Sequence, residues 1–295
     1  MALVSMREML KDAREKKYAV GCYNALNLEM TRGVIQAAEE EKSPVIICHA
    51  EVHFKFTPLD RIACIMLNEA NKAKVPVAVL LDHGKSFSAV MQAMRLGFNS
   101  IMFDASELGY EENVKRTAEI VKIAREFGVS VEAELGHVTR PKGGGSGGEE
   151  EEEEEADAMD DKSKYTDPVQ ARDYIERTGI DALAPAFGTA HGVYRKKPEL
   201  DLERLAAINR CSGVPLVMHG GSGLTGEDFK NAIENGISKI NYYTGMSLNA
   251  AEKIKENLAG STEKAGYHHI MMWGMDAIRE DVRTTMRLFG SGGRA

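Results

Sequence analysis

Residues 76–84, PVAVLLDHG, run through Val77, Ala78, Val79, Leu80 and Leu81 without a polar break and then end abruptly in Asp82, His83 and Gly84. A strand with one wet face alternates apolar and polar residues. An unbroken apolar run instead requires burial on both faces, the situation of a parallel sheet covered by helices. The next segment, FSAVMQAMRLG at 87–97, has helical spacing and closes on a helix-stop glycine, Gly97.

The same unit recurs in both directions. Short β-rich runs occur at YAVGCYN (18–24), PVIICHA (44–50), PVAVLLDHG, NSIMFDAS (99–106), VSVEAELG (129–136), IDALAPAFG (180–188), VPLVMHGG (214–221) and SKINYYTG (238–245). Segments of helical periodicity separate them, among them LEMTRGVIQAAEEEK (28–42), in which Met30, Val34, Ala37 and Ala38 share a face. Eight βα units in about 250 residues match a closed (β/α)8 TIM barrel in number and length, whereas open doubly wound sheets more often carry fewer strands. No composition break divides the units, so the reading is a single α/β domain over 1–295.

Composition narrows the partners. Hydrophobic residues make up 43% and charged residues 28%, which supplies a core and argues against disorder. Of the formal net charge of −8, Glu149–Glu155 supply seven negatives, leaving the body near neutral. No basic excess exists to meet a phosphate polymer, so nucleic acid is not an expected partner. No apolar run is long enough to span a bilayer and the N-terminus lacks a signal-peptide core, so a cytoplasmic protein without membrane attachment is expected. Cys22, Cys48, Cys64 and Cys211 form no CxxC pair and read as reduced core thiols.

In such barrels the loops at the C-terminal ends of the strands form the active-site face. That rule selects Asn24, His49, Asp82, His83, Asp104, Ser106, Glu134, His191, His219, Asn241 and Thr244. A lone histidine there is most often packed or solvated. Three at the ends of different strands, His83, His191 and His219, would project into one pocket and suit Zn²⁺, leaving a coordination position for substrate. Each is followed by glycine (Gly84, Gly192, Gly220), which permits close backbone approach to an anion, with Ser222 adding a hydroxyl. The loops after the seventh and eighth strands, HGGSG and NYYTG, occupy the places where barrels commonly hold phosphate, so a phosphorylated substrate is expected.

LLDHG, VEAELG, TDP, GTAHG, LVMHGGSG and KIN with Thr244, in this order and spacing, resemble the class II, zinc-dependent ketose-bisphosphate aldolases, from about residue 4 to the GSGGR end. The resemblance implies reversible cleavage of a ketose 1-phosphate or 1,6-bisphosphate to dihydroxyacetone phosphate and an aldehyde through a zinc-stabilised enediolate. It implies one zinc per subunit on His83, His191 and His219, with Glu134 at the position of a second divalent or monovalent cation. Asp82 matches the acid/base at the aldehyde-derived hydroxyl, and Gly192, Gly220, Gly221, Ser222, Asn241 and Thr244 match the dihydroxyacetone phosphate cradle, with Asn24 on the pocket floor.

The family's catalytic loop, expected here as a flexible Gly/Glu-rich segment at about 137–164, carries a Gly-Gly-Glu-Glu pattern. Gly147-Gly148-Glu149-Glu150 matches it, making Glu150, then Glu149, the candidate base at C3. The family's habit also implies a homodimer or homotetramer. Two departures fall at the distal-phosphate end: Ala50 stands where a hydroxyl residue is common, and His268 where an arginine reaches that phosphate. His49, His53, Lys55, Arg140 and Lys142 are the candidate substitutes. Lys239 near the eighth strand's end is expected to be structural and not a Schiff-base lysine. Three rivals remain: a zinc hydrolase, disfavoured because the first strand lacks paired histidines; an enediolate-forming epimerase or isomerase; and a catalytically silent sugar-phosphate-binding barrel.

Overall fold

The computed structural model describes residues 2–136, 138, 162–192, 194, 198–261 and 264–295. Eight strands close into one parallel barrel in sequence order: β1 (Val20–Asn24), β2 (Val45–Ala50), β3 (Val77–Gly84), β4 (Ser100–Phe103), β5 (Ser130–Leu135), β6 (Ala182–Pro185), β7 (Leu216–Met218) and β8 (Ile237–Tyr242). Closure is made by β1 against β8, with Val20 opposite Lys239 and Cys22 opposite Asn241. Every residue of β3 is buried, as the unbroken apolar run requires.

Helices α1 (Met6–Lys16), α2 (Leu28–Glu41), α3 (Leu59–Lys72), α4 (Phe87–Leu96), α5 (Tyr110–Glu126), α6 (Pro168–Thr178), α7 (Leu202–Ser212), α8 (Gly226–Glu234), α9 (Thr244–Gly260) and α10 (Tyr267–Leu288) accompany them. Several starts follow side-chain caps: Asn27 accepts from the Met30 N–H, Ser86 from that of Ala89, and Asp167 from those of Val169 and Gln170 ahead of Pro168. Gly97 ends α4 at φ 100°, a left-handed cap that suits glycine.

The core has two parts. The outer one lies between strands and surrounding helices. The inner one fills the barrel with Val20, Cys22, Ile46, Cys48, Leu80, Met102 and Val217, and α1 seals its lower end with Met6, Met9, Leu10 and Ala13. Closing the bottom leaves the opposite end, where the strands terminate, for polar residues. Cys22 and Cys48 are core thiols as expected, but Cys64 is exposed and Cys211 only partly buried. Cys64 misses the inner face of α3, defined by Leu59, Ile62, Ala63, Met66 and Ala70. Among the described residues no helix is long and apolar enough to cross a membrane.

Candidate active site

Barrel closure brings residues from different strands and the loops after them to one floor. His83, His191 and His219 each offer a ring nitrogen, and these nitrogens lie within 4.8 Å of one another. His83 Nε2 and His191 Nε2 are 3.2 Å apart. The ring centroids of His83 and His219 are separated by 4.5 Å.

The aim of two of the rings is set by a carboxylate behind each. His83 Nδ1 is 2.9 Å from Asp104 Oδ2, so it donates there and turns the Nε2 lone pair toward the cluster. Asp104 is itself held by Ser106, whose hydroxyl donates to Oδ1 at 2.7 Å. His219 Nε2 donates to Glu132 Oε1 at 3.0 Å, which turns Nδ1 inward. Burial, and then the neighbouring His83, lower the His219 pKa to about 4, so the imidazole is neutral and available as a ligand near pH 7.

His83 reaches this position through backbone strain. Its φ of 43° is left-handed, uncommon for a residue with a side chain, and it falls where the β3–β4 register shifts between Leu81 and Gly84. An irregularity there re-aims one side chain out of the strand's alternation.

Asp82 sits beside the histidines, buried, with both oxygens occupied. Asn24 Nδ2 donates to Oδ2 at 2.8 Å and Asn241 Nδ2 to Oδ1 at 3.0 Å. Burial raises this carboxyl, while His83 and His219 when protonated, and then Lys239 and the Asn24 donor, lower it below the usual carboxylate range. The carboxyl lies 3.9 Å from His83 Nε2. Asn24 completes the floor by accepting the Ala50 N–H at 2.9 Å.

Glu134 lies on the other side of His83. Its Oε1 accepts from the Val138 N–H at 3.2 Å, and Oε2 is 4.0 Å from His83 Nδ1. With Asp104 it forms a second group able to hold a cation, His83–Asp104–Glu134. The strand-end rule selects Asp104 without giving it a role; its place is behind His83.

The glycine loops meet. Gly220 has φ 71°, and a Cβ there would come within 2.1 Å of the Ala190 carbonyl oxygen, so the HGGSG loop lies directly on the GTAHG loop. Gly192 is also left-handed, at φ 90°. The Gly221 N–H donates to the Asn241 carbonyl at 3.2 Å. Ser222 Oγ accepts the Gly245 N–H at 3.0 Å, which ties it to the N-terminus of α9 beside Thr244. A helix start flanked by glycines and a hydroxyl is a suitable anion cradle. Tyr194 staples the two loops, accepting from the Ala190 N–H at 3.0 Å and donating to the Gly220 carbonyl at 2.7 Å. The hydroxyl of Thr189, buried in the same cradle, has no hydrogen-bond partner among the described residues.

Of the candidate distal contacts, His49 is committed elsewhere: its ring nitrogens face the carbonyl oxygens of Ala25 at 3.0 Å and Thr57 at 2.9 Å. His53 packs its ring 4.8 Å from that of Tyr243. Ala50 is buried at the end of β2, and His268 is exposed in the first turn of α10, its ring 4.0 Å from that of His269. Arg140, Lys142, Glu149 and Glu150 lie outside the described residues. Sequence reasoning assigns no role to Glu132 and only a structural one to Lys239. Both face the barrel interior directly beneath the site, where Lys239 Nζ pairs with Glu132 Oε2 at 2.8 Å.

A parallel barrel whose strand ends and following loops converge on three histidines, two of them backed by carboxylates, has the make-up of an enzyme mouth able to hold a metal ion. The chain belongs to the fructose-bisphosphate aldolase class-II family, whose family model matches residues 4–294. It is therefore a lyase of the carbon–carbon-cleaving kind, in a metal-dependent family. It is 41% identical over 300 residues to the fructose-bisphosphate aldolase of Geobacillus stearothermophilus, covering 100% of this chain and 99% of the relative. It is 39% identical over 299 residues to that of Staphylococcus aureus, with both chains fully covered. The crystal structure of the YdjI aldolase from Escherichia coli K12 is similar at a TM-score of 0.86 and 38% identity over 99% of each chain.

Proposed function

We propose that the protein reversibly cleaves a ketose 1-phosphate or 1,6-bisphosphate to dihydroxyacetone phosphate and an aldehyde, with zinc held by His83, His191 and His219. The observation that carries this reading is the buried Asp82 carboxyl, held between Asn24 and Asn241 beside three clustered imidazoles. Simple binding of a sugar phosphate would have no use for a buried carboxyl there. The donor set fits zinc: three imidazoles, two of them oriented from behind by carboxylates. When bound, such an ion supplies Lewis-acid stabilisation of negative charge developing on the ketose oxygens.

The residues divide the work. The phosphate end is anchored by Gly192, Gly220, Gly221, Ser222 and Thr244, and Asn241 contacts the ketone end. Asp82 takes the proton from the C4 hydroxyl as the C3–C4 bond breaks, the electron pair passing to C3 and the C2 oxygen as the enediolate. A loop glutamate, Glu150 or Glu149, then returns a proton to C3. Glu134, on the other side of His83, is the residue for a second cation. Among the described residues His49 is tied to backbone carbonyls and Ala50 carries no polar group, which makes a ketose 1-phosphate as good a substrate candidate as a bisphosphate. A homodimer or homotetramer in the cytoplasm completes the reading.

The test is cleavage of fructose 1,6-bisphosphate and of fructose 1-phosphate by zinc-loaded protein, with released dihydroxyacetone phosphate measured by its enzymatic reduction. Release from at least one, abolished by chelator and restored by zinc, is expected. Conversion of substrate to an isomer without that product would replace the reading with an epimerase or isomerase.

A further inference from the structure

Lys239 lies two residues before Asn241 on β8, so both side chains point into the barrel. It is fully buried, and its ammonium reaches two acceptors: Glu132 Oε2 at 2.8 Å and Asn241 Oδ1 at 2.7 Å. Burial opposes its charge, yet neighbouring negative groups including Glu132 and Asp82 raise its pKa. At 2.8 Å, with both groups fully buried, Lys239 and Glu132 form an ion pair.

An ammonium has only hydrogens to offer. It therefore decides which end of the Asn241 amide faces it. The oxygen turns to Lys239, and the NH₂ is left to face Asp82 Oδ1 at 3.0 Å. The NH₂ also lies 3.4 Å from His219 Nδ1. In the flipped orientation the NH₂ would meet the ammonium and the oxygen would meet the Asp82 carboxylate, repulsive contacts in place of attractive ones.

We propose that Lys239 is a positioning residue which, with Glu132 as its counter-charge, fixes the Asn241 amide toward Asp82. This deepens the functional reading above and rests on its roles for Asp82 and Asn241. Lys239 itself touches no substrate. A buried ion pair is a weak source of stability, because an apolar or neutral replacement of similar size is often tolerated. Its worth here is orientation: the amide that must contact substrate and hold Asp82 has one allowed direction before substrate arrives.

Lys239→Met alone would leave Glu132 charged and unpaired, so the working variant is Glu132→Gln with Lys239→Met. This removes the pair without stranding a charge, and the new side-chain amide keeps an oxygen for His219. Three quantities are measured: kcat/KM for cleavage, affinity for Co²⁺, and the side-chain ¹H–¹⁵N signals of Asn241, assigned by their loss in Asn241→Ala. The expected result is a folded protein with Co²⁺ affinity within about threefold of the parent, shifted Asn241 amide signals, and kcat/KM lower by roughly 10–100-fold, the range typical of outer partners. In the Asn241→Ala background the same pair of changes is expected to cost less than about threefold, since residues acting through one another are not additive.

An equal cost in both backgrounds would overturn the proposal, as would unmoved Asn241 signals. A fall in Co²⁺ affinity matching the fall in activity would overturn it too, by tracing the effect to His219. The NMR readout needs no turnover: shifted amide signals in a protein whose parent cleaves neither ketose phosphate would sink the functional reading and leave the orientation claim standing.

Discussion

Asp104 Oδ2 stands 2.9 Å behind His83 Nδ1, on the side of the ring away from the histidine cluster. The contact fixes the tautomer that presents Nε2 to a cation. Asp104→Ala is expected to weaken zinc or cobalt affinity by about 10–100-fold, the usual effect of losing a carboxylate behind a ligating histidine. Competition with a metallochromic chelator measures it, and an unchanged affinity would remove Asp104 from the site's support.

Asp82→Ala removes the proton acceptor for the C4 hydroxyl while leaving the histidines in place. Cleavage is expected to fall by about 10²–10⁴-fold, the range for loss of a general base, with metal content unchanged. Steady-state kinetics beside a metal assay checks both. Loss of the metal together with activity would mean that Asp82 supports the ligands and not the chemistry.

Gly220→Ala places a Cβ against the Ala190 carbonyl oxygen, in a backbone conformation that costs a non-glycine residue about 1–3 kcal/mol before any clash is counted. A lower melting temperature and a raised KM for the phosphorylated substrate are expected, since the two loops can no longer lie together. Thermal melts and substrate saturation curves report each effect separately.

Glu41 joins α2 to α10, accepting from Arg287 Nη2 at 2.6 Å and Arg283 Nε at 2.9 Å. The Arg287 hydrogen bond, opposed by burial and helped by Arg283, holds its carboxyl below the ordinary glutamate value of 4.5. A lowered folded-state pKa means that the unfolded chain binds the proton first as pH falls. The contribution is therefore complete above about pH 4.5 and lost below it. Glu41→Gln should lower the melting temperature by a few degrees at pH 7, a modest effect because the arginines are solvent-screened, with parent and variant converging in acid. A difference that persists in acid would point to packing.

The barrel is legible in the sequence because most of its strands are apolar runs buried on both faces, and PVAVLLDHG shows the pattern at its longest. His83 and His219 are legible because they end such runs, and His191 because it lies in the loop that follows one. Glu132 and Lys239 escape notice for the opposite reason: they lie inside strands, where a polar residue reads as structural. A signal exists, since residues two apart in a strand share a face, and Glu134 and Asn241 both belong to the expected pocket. The Asp104–His83 contact is beyond sequence reasoning. It depends on the left-handed His83 backbone and the register shift beside it, neither of which leaves a mark in residue type. Cys64 misleads through its apolar neighbours in sequence, when helical phase decides which side it faces.

Exchange at C3 of dihydroxyacetone phosphate tests for enediolate chemistry at the three-histidine site without any knowledge of the aldehyde. Zinc-loaded protein in deuterium oxide, followed by proton NMR beside a chelator-treated control, should show zinc-dependent loss of the C3 proton signal. The exchange should be retained in Asp82→Ala and lost in Glu150→Ala, or in Glu149→Ala if that neighbour is the base. Absence of exchange in zinc-loaded protein that demonstrably binds dihydroxyacetone phosphate would contradict the account and leave a sugar-phosphate-binding barrel in its place.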